Sequence, residues 1–328
     1  MSSIFNLMNS ISNGRLSKNS SKDAIRQLWE DSFTGPLEDF LGRKGKRIRA
    51  DLIDVTFRIG GGTGAVPDQI VQFVELLHAG SLIIDDIQDN SRNRRQKEAM
   101  HLKYGVPIAI NTGNWLYFAA IELLTELDLP AVQLNRIMKK SLHVIKRCHE
   151  GQALDLGATF NQLAPHAIPE TVQLISNLKT GALTSLAAWL GGVMSGADES
   201  ICDKLSEFGM SLGVGLQMQN DFVELQKAAF SRHNSDDFRN RRVTWPWAWL
   251  ASSHSGVEVS RLADDAMRQL PNIQNCAQQI LERIDIFAVN EINQKLEGSA
   301  KVLDGLDVED SVREKLDSII ATLELHYV

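Results

Sequence analysis

Three carboxylates follow directly on an apolar stretch, at Asp85, Asp86 and Asp89. On a helix, Asp85 and Asp89 lie one turn apart on the same face, with Asp86 beside them. Acids this close repel one another unless a cation lies between them. Mg²⁺ prefers carboxylate oxygens and usually completes its shell with water and substrate phosphates. The cluster is therefore a candidate magnesium site.

Basic residues follow these acids at once, at Arg92, Arg94, Arg95 and Lys97. An arginine can hold two phosphate oxygens in bidentate fashion. Carboxylates, a divalent metal and arginines together predict a site for a diphosphate group. The alternative is a solvated charged face at a helix end, but it explains poorly why the acids directly follow the apolar residues 82–84.

Two weaker signals flank this cluster. Lys46 and Arg49 are predicted to share one helical face that suits a second diphosphate, although such a pair is usually surface charge. His78 lies two helical turns before Asp85, on roughly the same side. A lone histidine near an apolar run is more often a satisfied core residue than a ligand.

Two further signals come later in the chain. Lys179 and Thr180 interrupt an otherwise apolar helix, and a lysine that points inward there needs an anion; the simpler interpretation is a lysine that extends its ammonium group to water. Gln217 precedes a second, weaker acidic turn that contains Asn220, Asp221 and Glu224. A surface helix turn is the ordinary interpretation of that pattern.

Composition narrows the class of protein. The chain has 328 residues, is 43% hydrophobic and carries a net charge of −7, which argues against nucleic-acid binding. Cys148, Cys202 and Cys276 are far apart and form neither a zinc pattern nor a disulfide framework, so we expect a reducing, cytoplasmic location. No apolar stretch is long enough to predict a transmembrane helix.

Apolar residues at three- and four-residue spacing predict a chain built of helices. We expect an all-α single domain, a helical bundle over residues 23–328, preceded by a flexible Ser/Asn-rich tail over residues 1–22. The polar segment 231–241 is expected to be a surface loop. The predicted helices cover residues 68–84, 106–127, 132–150, 169–192, 201–229 and 278–296.

An ordered set of motifs over residues 40–250 resembles the trans-isoprenyl diphosphate synthases (polyprenyl synthases), and among them most closely the geranylgeranyl diphosphate synthases. The resemblance implies an all-α fold of the isoprenoid synthase type, a magnesium-dependent prenyltransferase and usually a homodimer. The motifs are GKRIRA (45–50), ELLHAGSLIIDDIQDNSRNRRQ (75–96), His101 with Tyr104-Gly105, INTGNWLYF (110–118), EGQALDL (150–156), KTGAL (179–183), LQMQND (216–221) and DDFRNRRVTWP (236–246).

The resemblance also implies a role for each matched residue. Thr180 would lie beside the carbon that ionises, in a catalytic group with Lys179 and Gln217. The residues that would bind Mg²⁺ are Asp85 and Asp89, with Asn220, Asp221 and Glu224 of the second motif. Those that would contact the diphosphate of the allylic substrate are Arg94, Lys179, Gln217 and Arg242. Those that would hold the diphosphate of isopentenyl diphosphate are Lys46, Arg49, His78 and Arg95.

The chain departs from the family pattern at four places. The second motif is normally DDxxD, but Asn220 and Glu224 replace its first and last acids. Gln96 replaces the glycine of Arg-Arg-Gly, and Arg242 replaces a lysine. The lysine usually found in the loop around residues 233–234 is absent. Most of these losses weaken diphosphate handling on the allylic side.

Three functions therefore compete. The first is elongation of farnesyl diphosphate by isopentenyl diphosphate to a C20 (geranylgeranyl) diphosphate. The second is transfer of a geranylgeranyl group to another acceptor, such as indole-3-glycerol phosphate in secondary metabolism. The third is a terpene cyclase or a non-catalytic subunit. The complete second-diphosphate set favours the first two, and the intact first motif disfavours an inactive subunit. Elongation is preferred.

Product length is expected to depend on small residues before the first motif. Gly80 and Ser81 precede Asp85 by about one turn, so no bulky side chain is expected to block a growing chain there. Leu77, Trp115 or Phe118 would then form a lower floor, which predicts a pocket for a C15 substrate or a C20 product. The alternative is that Gly80 only allows two helices to pack closely.

Overall fold

The structure is a computed structural model that describes residues 20–45, 47–230, 235–270, 272–306 and 308–321. Within these ranges helices dominate, and the named strands form a single two-stranded hairpin. The predicted all-α fold is confirmed. None of the helices in these ranges is both long and apolar enough to cross a membrane.

The elements before residue 130 are mostly helical. They are α1 (Ser20–Trp29), a π-helical turn (Glu30–Thr34), α2 (Gly35–Leu41), α3 (Ile48–Ile59), α4 (Asp68–Gln88), β1 (Asn93–Arg94), β2 (Lys97–Glu98), α5 (Met100–Lys103) and α6 (Val106–Thr125).

The elements after residue 130 are helical throughout. They are α7 (Ala131–Gly157), a 3₁₀ turn (Pro165–Ala167), α8 (Ile168–Ser176), a π-helical turn (Asn177–Gly181), α9 (Ala182–Ser195), α10 (Glu199–Phe230), α11 (Asp236–Arg239), α12 (Trp245–Ser253), α13 (Gly256–Gln269), α14 (Gln274–Lys301) and α15 (Asp310–Ala321).

Contacts between residues in space divide the chain into two compact units. The first contains residues 1–46 and 76–120, and the second contains residues 47–75 and 121–328. Contact density alone defines this division, so the expected single domain over residues 23–328 stays a prediction. The expected tail lies largely outside the described residues, although residues 20–22 already belong to α1.

The core of the second unit is built around α9. Every residue from 182 to 193 is buried there, which is why this stretch is apolar on all sides. Glycines let its neighbours approach closely: a Cβ atom on Gly191 would lie 2.6 Å from the Ile53 carbonyl oxygen of α3, and one on Gly209 of α10 would lie 2.5 Å from the Thr184 carbonyl oxygen. The buried faces of α3, α9 and α10 therefore interlock.

All six helices predicted from periodicity are present. The predicted helix over residues 169–192 is in fact three successive helical segments, because a π-helical turn separates α8 from α9. Several other helices were not predicted. Two of these, α5 and α11, have four residues each, which is too short to show a period, and the others are α1, α2, α12, α13 and α15.

One local prediction stays untested and another is corrected. The helix α3 begins at Ile48, so Arg49 lies in its first turn. Lys46 lies outside the described residues, so the helical face that it was predicted to share with Arg49 stays a prediction. In the segment expected to be a loop, residues 231–234 also lie outside them, but residues 236–239 form the helical turn α11 because Arg239 and Asn240 donate to the carbonyl oxygens of Ser235 and Asp236.

Candidate active site

The C-terminal end of α4 carries the first acidic motif in the first unit. The backbone N–H of Asp89 donates to the Asp85 carbonyl oxygen at 2.8 Å, so the helical geometry continues through Asp89 and keeps these two residues one turn apart. Both are partly accessible, whereas Asp86 is fully buried. The three acids therefore have two different environments.

Asp86 is held by Arg94. The Nε and Nη2 atoms of Arg94 both donate to Asp86 Oδ1, the first at 2.8 Å, and Nη2 lies 3.9 Å from Asp85 Oδ2. Burial disfavours the charge of Arg94, but the hydrogen bonds to Asp86 and the charges of all three acids outweigh this and raise its pKa. Arg94 is thus a cation that lies among the three acids of the motif, a role that the sequence analysis did not assign to it.

Asp85 and Asp89 fit a hard divalent cation. Both are accessible carboxylates on one turn, and Mg²⁺ in enzymes is usually held by one or two carboxylates together with substrate phosphates. In the part of the chain that the structure describes, no group of three or more histidine, cysteine or acidic side chains is gathered closely enough to hold a metal ion. A two-carboxylate site that the substrate completes is compatible with that finding.

Arg95 lies at the tip of the hairpin in the first unit. Arg94 pairs with Lys97 in register, so Arg95 and Gln96 form a two-residue loop, and their φ angles of 52° and 63° are those of a type I′ turn. The guanidinium of Arg95 donates to the Arg43 carbonyl oxygen at 3.2 Å and lies against Gly45. The loop thereby brings Arg95 to Gly45, the first residue of the GKRIRA motif.

Asp39 of α2 forms ion pairs with three basic residues of the first unit. Its carboxylate accepts from Arg43 at 2.9 Å, Lys103 at 3.1 Å and Lys97 at 3.3 Å. Burial alone would raise its pKa, but these hydrogen bonds and the charge of Arg43 lower it well below its usual range. Arg43 in turn donates to the Arg94 carbonyl oxygen at 3.3 Å. Asp39 lies outside every matched motif, so no sequence signal pointed to its role.

In the second unit, a π-helical turn carries Lys179 and Thr180. It packs closely on two helices: a Cβ atom on Gly151 of α7 would lie 2.6 Å from Leu178 Cβ, and one on Gly213 of α10 would lie 2.8 Å from Gly181 Cα. Single π-helical turns within longer helices often occur at functional sites, since the extra residue turns side chains away from the regular helical positions.

Lys179 has the anion that the sequence analysis expected an inward lysine to need. Its Nζ lies 2.7 Å from Asp155 Oδ2 at the end of α7. The buried Arg242 donates from Nη1 to the Asp155 carbonyl oxygen at 3.0 Å. Two cations proposed for the allylic diphosphate thus meet at one residue. Asp155 belongs to the EGQALDL motif, but no role was predicted for it.

Thr180, Gln217 and Asp221 form a chain of hydrogen bonds. Thr180 Oγ1 donates to Gln217 Oε1 at 2.6 Å, and Gln217 Nε2 donates to Asp221 Oδ1 at 2.7 Å. The backbone N–H of Trp245 donates to the other oxygen, Asp221 Oδ2, at 3.0 Å. The structure therefore brings these three predicted residues together, with their donors and acceptors paired.

The carboxyl group of Asp221 is costly to ionise in this position. Burial raises its pKa to about 7, and the negative charge of Asp155 adds to the rise, while the hydrogen bonds from Trp245 and Gln217 and the charge of Lys179 oppose it. A cation bound to Asp221 would offset the same cost.

The remaining predicted residues lie in varied surroundings. Asn220 is exposed, and Glu224 Oε1 lies 2.6 Å from Lys227 Nζ. Arg49 is half-buried, and its charge opposes the burial that raises the pKa of the Cys148 thiol to about 11. His78 is half-buried on α4.

Gly80 contacts the neighbouring helix of the first unit. A Cβ atom on Gly80 would lie 2.8 Å from the Gly113 carbonyl oxygen of α6 and 3.3 Å from Leu116 Cβ. Close helix packing, the alternative interpretation of this glycine, is therefore what the structure shows, and the expectation that Gly80 lines an open pocket is wrong. Ser81 is half-buried and donates to the His78 carbonyl oxygen at 2.9 Å.

Comparison with known proteins identifies the family. The polyprenyl synthetase family model matches residues 30–284. The chain belongs to the polyprenyl synthetase family. It is therefore a prenyltransferase of isoprenoid biosynthesis, as the matched motifs predicted.

Individual relatives agree with this family. A geranylgeranyl pyrophosphate synthase of Eremothecium gossypii is 30% identical over 72% of this chain and 73% of its own length. A geranylgeranyl diphosphate synthase of Saccharolobus solfataricus is 32% identical over 63% of this chain and 60% of its own, so that match spans less than two thirds of the relative.

Solved structures show the same fold. A polyprenyl synthase of Caulobacter crescentus, crystallised with calcium and isoprenyl diphosphate, covers 99% of this chain and 95% of its own with a TM-score of 0.76. Its sequence identity of 20% makes this a likeness of fold alone.

Proposed function

We propose that this polyprenyl synthetase elongates farnesyl diphosphate with isopentenyl diphosphate to geranylgeranyl diphosphate, and that it requires Mg²⁺. The observation that carries the proposal is the acidic end of α4, where the accessible acids Asp85 and Asp89 lie beside Arg94. The names of the two relatives, both synthases of the C20 diphosphate, support this product.

Magnesium is assigned to carboxylates of both units. Asp85 and Asp89 of the first unit would hold it, and Asp221 of the second, with Asn220 and Glu224, would hold a further ion. When bound, the metal neutralises charge that builds up on departing diphosphate. Asn220 offers a carbonyl oxygen where the family has a carboxylate, so its contribution to metal binding is expected to be weak.

The allylic diphosphate is assigned to Arg94, Lys179, Gln217 and Arg242. Lys179 supports this assignment by its present partner, because it already pairs with the carboxylate of Asp155, and Arg242 donates to the backbone carbonyl oxygen of the same residue. A diphosphate offers them more negative charge than one carboxylate does. Arg242 keeps the positive charge of the family's lysine and adds a bidentate fork.

The second diphosphate is assigned to Lys46, Arg49, His78 and Arg95. Arg95 is supported by its contact with Gly45 in the GKRIRA motif, which contains Lys46 and Arg49. A second phosphate-binding set is what distinguishes a condensing enzyme from a cyclase, since a cyclase has one diphosphate to hold.

The proposed reaction breaks one bond and forms another. The allylic C–O bond breaks with its electron pair on diphosphate, whose charge Arg94, Lys179 and Arg242 would balance. The Thr180 hydroxyl oxygen would face the allylic cation. The double bond of isopentenyl diphosphate then attacks the cation, and the resulting carbocation loses a proton to the released diphosphate, which restores a double bond.

Elongation is preferred to the other two functions. Both relatives named above are synthases, which gives no support to an indole acceptor or to cyclisation. A homodimer and a cytoplasmic location stay predictions, as the family resemblance and the wide cysteine spacing suggested.

A product assay tests the proposal. Purified protein is incubated with Mg²⁺, farnesyl diphosphate and labelled isopentenyl diphosphate, and the dephosphorylated products are separated by chromatography. We expect a labelled C20 alcohol. Unlabelled product formed from farnesyl diphosphate alone would indicate a cyclase, and no labelled product at any Mg²⁺ concentration would contradict the proposal.

A matched pair of variants tests the metal assignment. Asp85→Asn should lower turnover by about 100-fold or more, because it removes a ligand of the charge-stabilising metal. Asp68→Asn changes an exposed acid at the other end of the same helix and should leave turnover unaltered. Equal activity in the two variants would overturn the assignment of Asp85.

A further inference from the structure

Trp245 uses both of its N–H groups inside the second unit. Its backbone N–H donates to Asp221 Oδ2 at 3.0 Å, and its indole Nε1–H donates to Ser176 Oγ at 2.9 Å. All three residues are buried. Buried polar groups of this kind are costly to leave without a partner, so each bond constrains the elements that it joins.

The two acceptors lie on different parts of the proposed active site. Ser176 ends α8 and directly precedes the π-helical turn, which carries Lys179 and Thr180. Asp221 lies on α10 and accepts from Gln217, which in turn accepts from Thr180. Trp245 therefore completes a closed ring of contacts. This ring of contacts runs from Ser176 along the π-helical turn to Thr180, then through Gln217 and Asp221 back to Trp245.

We propose that Trp245 is a positioning residue, which sets the place of Thr180 and Lys179 relative to Asp221 through its indole N–H bond to Ser176. The proposal rests on the proposed function, since it concerns residues assigned to the allylic diphosphate. Trp245 itself acts only through Ser176 and Asp221.

The π-helical turn is the part of this ring that needs support. A π-helical turn is less favourable than an α-helical one and persists where neighbouring contacts hold it. Gly151 and Gly213 allow the close contacts on two sides, and the indole bond anchors the residue at which the turn begins. Without that bond, Ser176 loses its buried donor, and the turn can shift relative to α10.

A conservative substitution isolates the indole N–H. Trp245→Phe keeps the backbone donor to Asp221 and an aromatic ring beside Trp249, whose ring centroid lies 5.7 Å away. Trp249→Phe is the matched control, because it also removes an indole N–H bond from α12, to Glu291 Oε2 at 3.2 Å, but that partner lies outside the ring of contacts.

The kinetic result should separate positioning from stability. Trp245→Phe should lower kcat for prenyl transfer about tenfold, since small displacements of aligned groups are costly. The KM for isopentenyl diphosphate should change less than about twofold, because its assigned ligands lie outside the ring. Trp249→Phe should leave both constants within about twofold of the wild type. An unchanged kcat in Trp245→Phe, or an equal loss in the control, would overturn the proposal.

A second variant tests the bond from its other end. Ser176→Ala should lower kcat by about the same factor as Trp245→Phe, and the double variant should lose little more, because both changes remove one interaction. Multiplied losses in the double variant would mean that the two residues act independently, and the proposal would be wrong.

Hydrogen exchange gives a readout that needs no turnover. In Trp245→Phe, amides of Asn177–Gly181 should exchange faster than in the wild type, and in Trp249→Phe they should not. If the wild type transfers no prenyl group, the proposed function fails, but this measurement still decides the role of Trp245. Equal exchange of Asn177–Gly181 in both variants and the wild type would refute it.

Discussion

At the scale of single residues, Gln96 lies in a backbone conformation that suits glycine. Its φ of 63° is left-handed, and its side chain is exposed at the tip of the hairpin. A side chain in this region costs about 1 kcal/mol, and glycine avoids that cost. This chain therefore carries a local strain beside Arg95, which is assigned to the second diphosphate, at a position where the resemblance implies glycine.

Gln96→Gly should therefore increase the free energy of unfolding by about 0.5–1 kcal/mol. Urea denaturation at a fixed pH measures the change. Gln279→Gly places the same substitution in the interior of α14 and should instead decrease that free energy by about 1 kcal/mol. A decrease for Gln96→Gly would mean that the side chain makes a stabilising contact, contrary to the argument from φ.

Asp39 should make stability depend on pH. Its folded-state pKa is lowered, so its charge stabilises the fold above the ordinary aspartate pKa of about 4, and this contribution is lost as the pH falls through the folded-state value. Asp39→Asn should cost about 1 kcal/mol at pH 7, where Arg43 loses its charged partner.

The difference between Asp39→Asn and the wild type should shrink as the pH falls below about 4. Denaturant melts of both proteins at a series of pH values test this. Asp128→Asn, an exposed acid after α6, serves as the control and should change stability little at any pH. If the difference in the free energy of unfolding between Asp39→Asn and the wild type stays constant down to pH 3, ionisation of Asp39 does not explain its contribution.

At the scale of elements, the crossing of α4 and α6 depends on two glycines. Gly80 approaches the Gly113 carbonyl oxygen, and a Cβ atom on Gly113 would lie 2.8 Å from Ile84 Cδ1. The acidic motif begins one turn after this crossing, at Asp85. The crossing therefore positions the C-terminal end of α4 in the first unit.

Gly80→Ala should lower the free energy of unfolding by about 1–3 kcal/mol, because the backbone of Gly113 cannot yield as a flexible side chain would. Gly298→Ala is the matched control within α14, where a Cβ atom meets nothing within 4 Å. There alanine should stabilise the protein by about 0.5–1 kcal/mol. If both variants shift stability in the same direction, the crossing is looser than these contacts indicate.

At the scale of the whole molecule, the proposed substrate assignments should separate in kinetics. Arg49→Ala and His78→Ala should each raise the KM for isopentenyl diphosphate more than the KM for the allylic diphosphate. Lys179→Gln should do the reverse, since Lys179 is assigned to the allylic diphosphate. Steady-state rates with each substrate varied in turn measure both constants.

A lysine that is assigned to neither diphosphate provides the control. Lys315→Gln removes an ion pair with Asp54 and should alter neither KM. Parallel rises of both KM values in Arg49→Ala and Lys179→Gln would contradict the division of the cations into two sets.

Sequence periodicity was sufficient for the long helices but not for their interruptions. Residues 182–193 are buried on every side, so a change of register before them leaves the apolar pattern unaltered, and the π-helical turn at Asn177–Gly181 was not visible in residues 169–192. The four-residue helices α5 and α11 were missed for a simpler reason, since about one turn of helix shows no period of its own.

The family, the all-helical fold and the residue types of the proposed site could be predicted from the sequence, because acids after an apolar helical run, with arginines next to them, restrict the chemistry. The pairing of these groups depends on the tertiary structure. That structure buried Asp86 against Arg94, placed Asp155 at Lys179 and joined Trp245 to Ser176, which lies 69 residues earlier in the chain. Local spacing shows which face of a helix is apolar, whereas a hydrogen bond between distant residues depends on where the whole backbone places them.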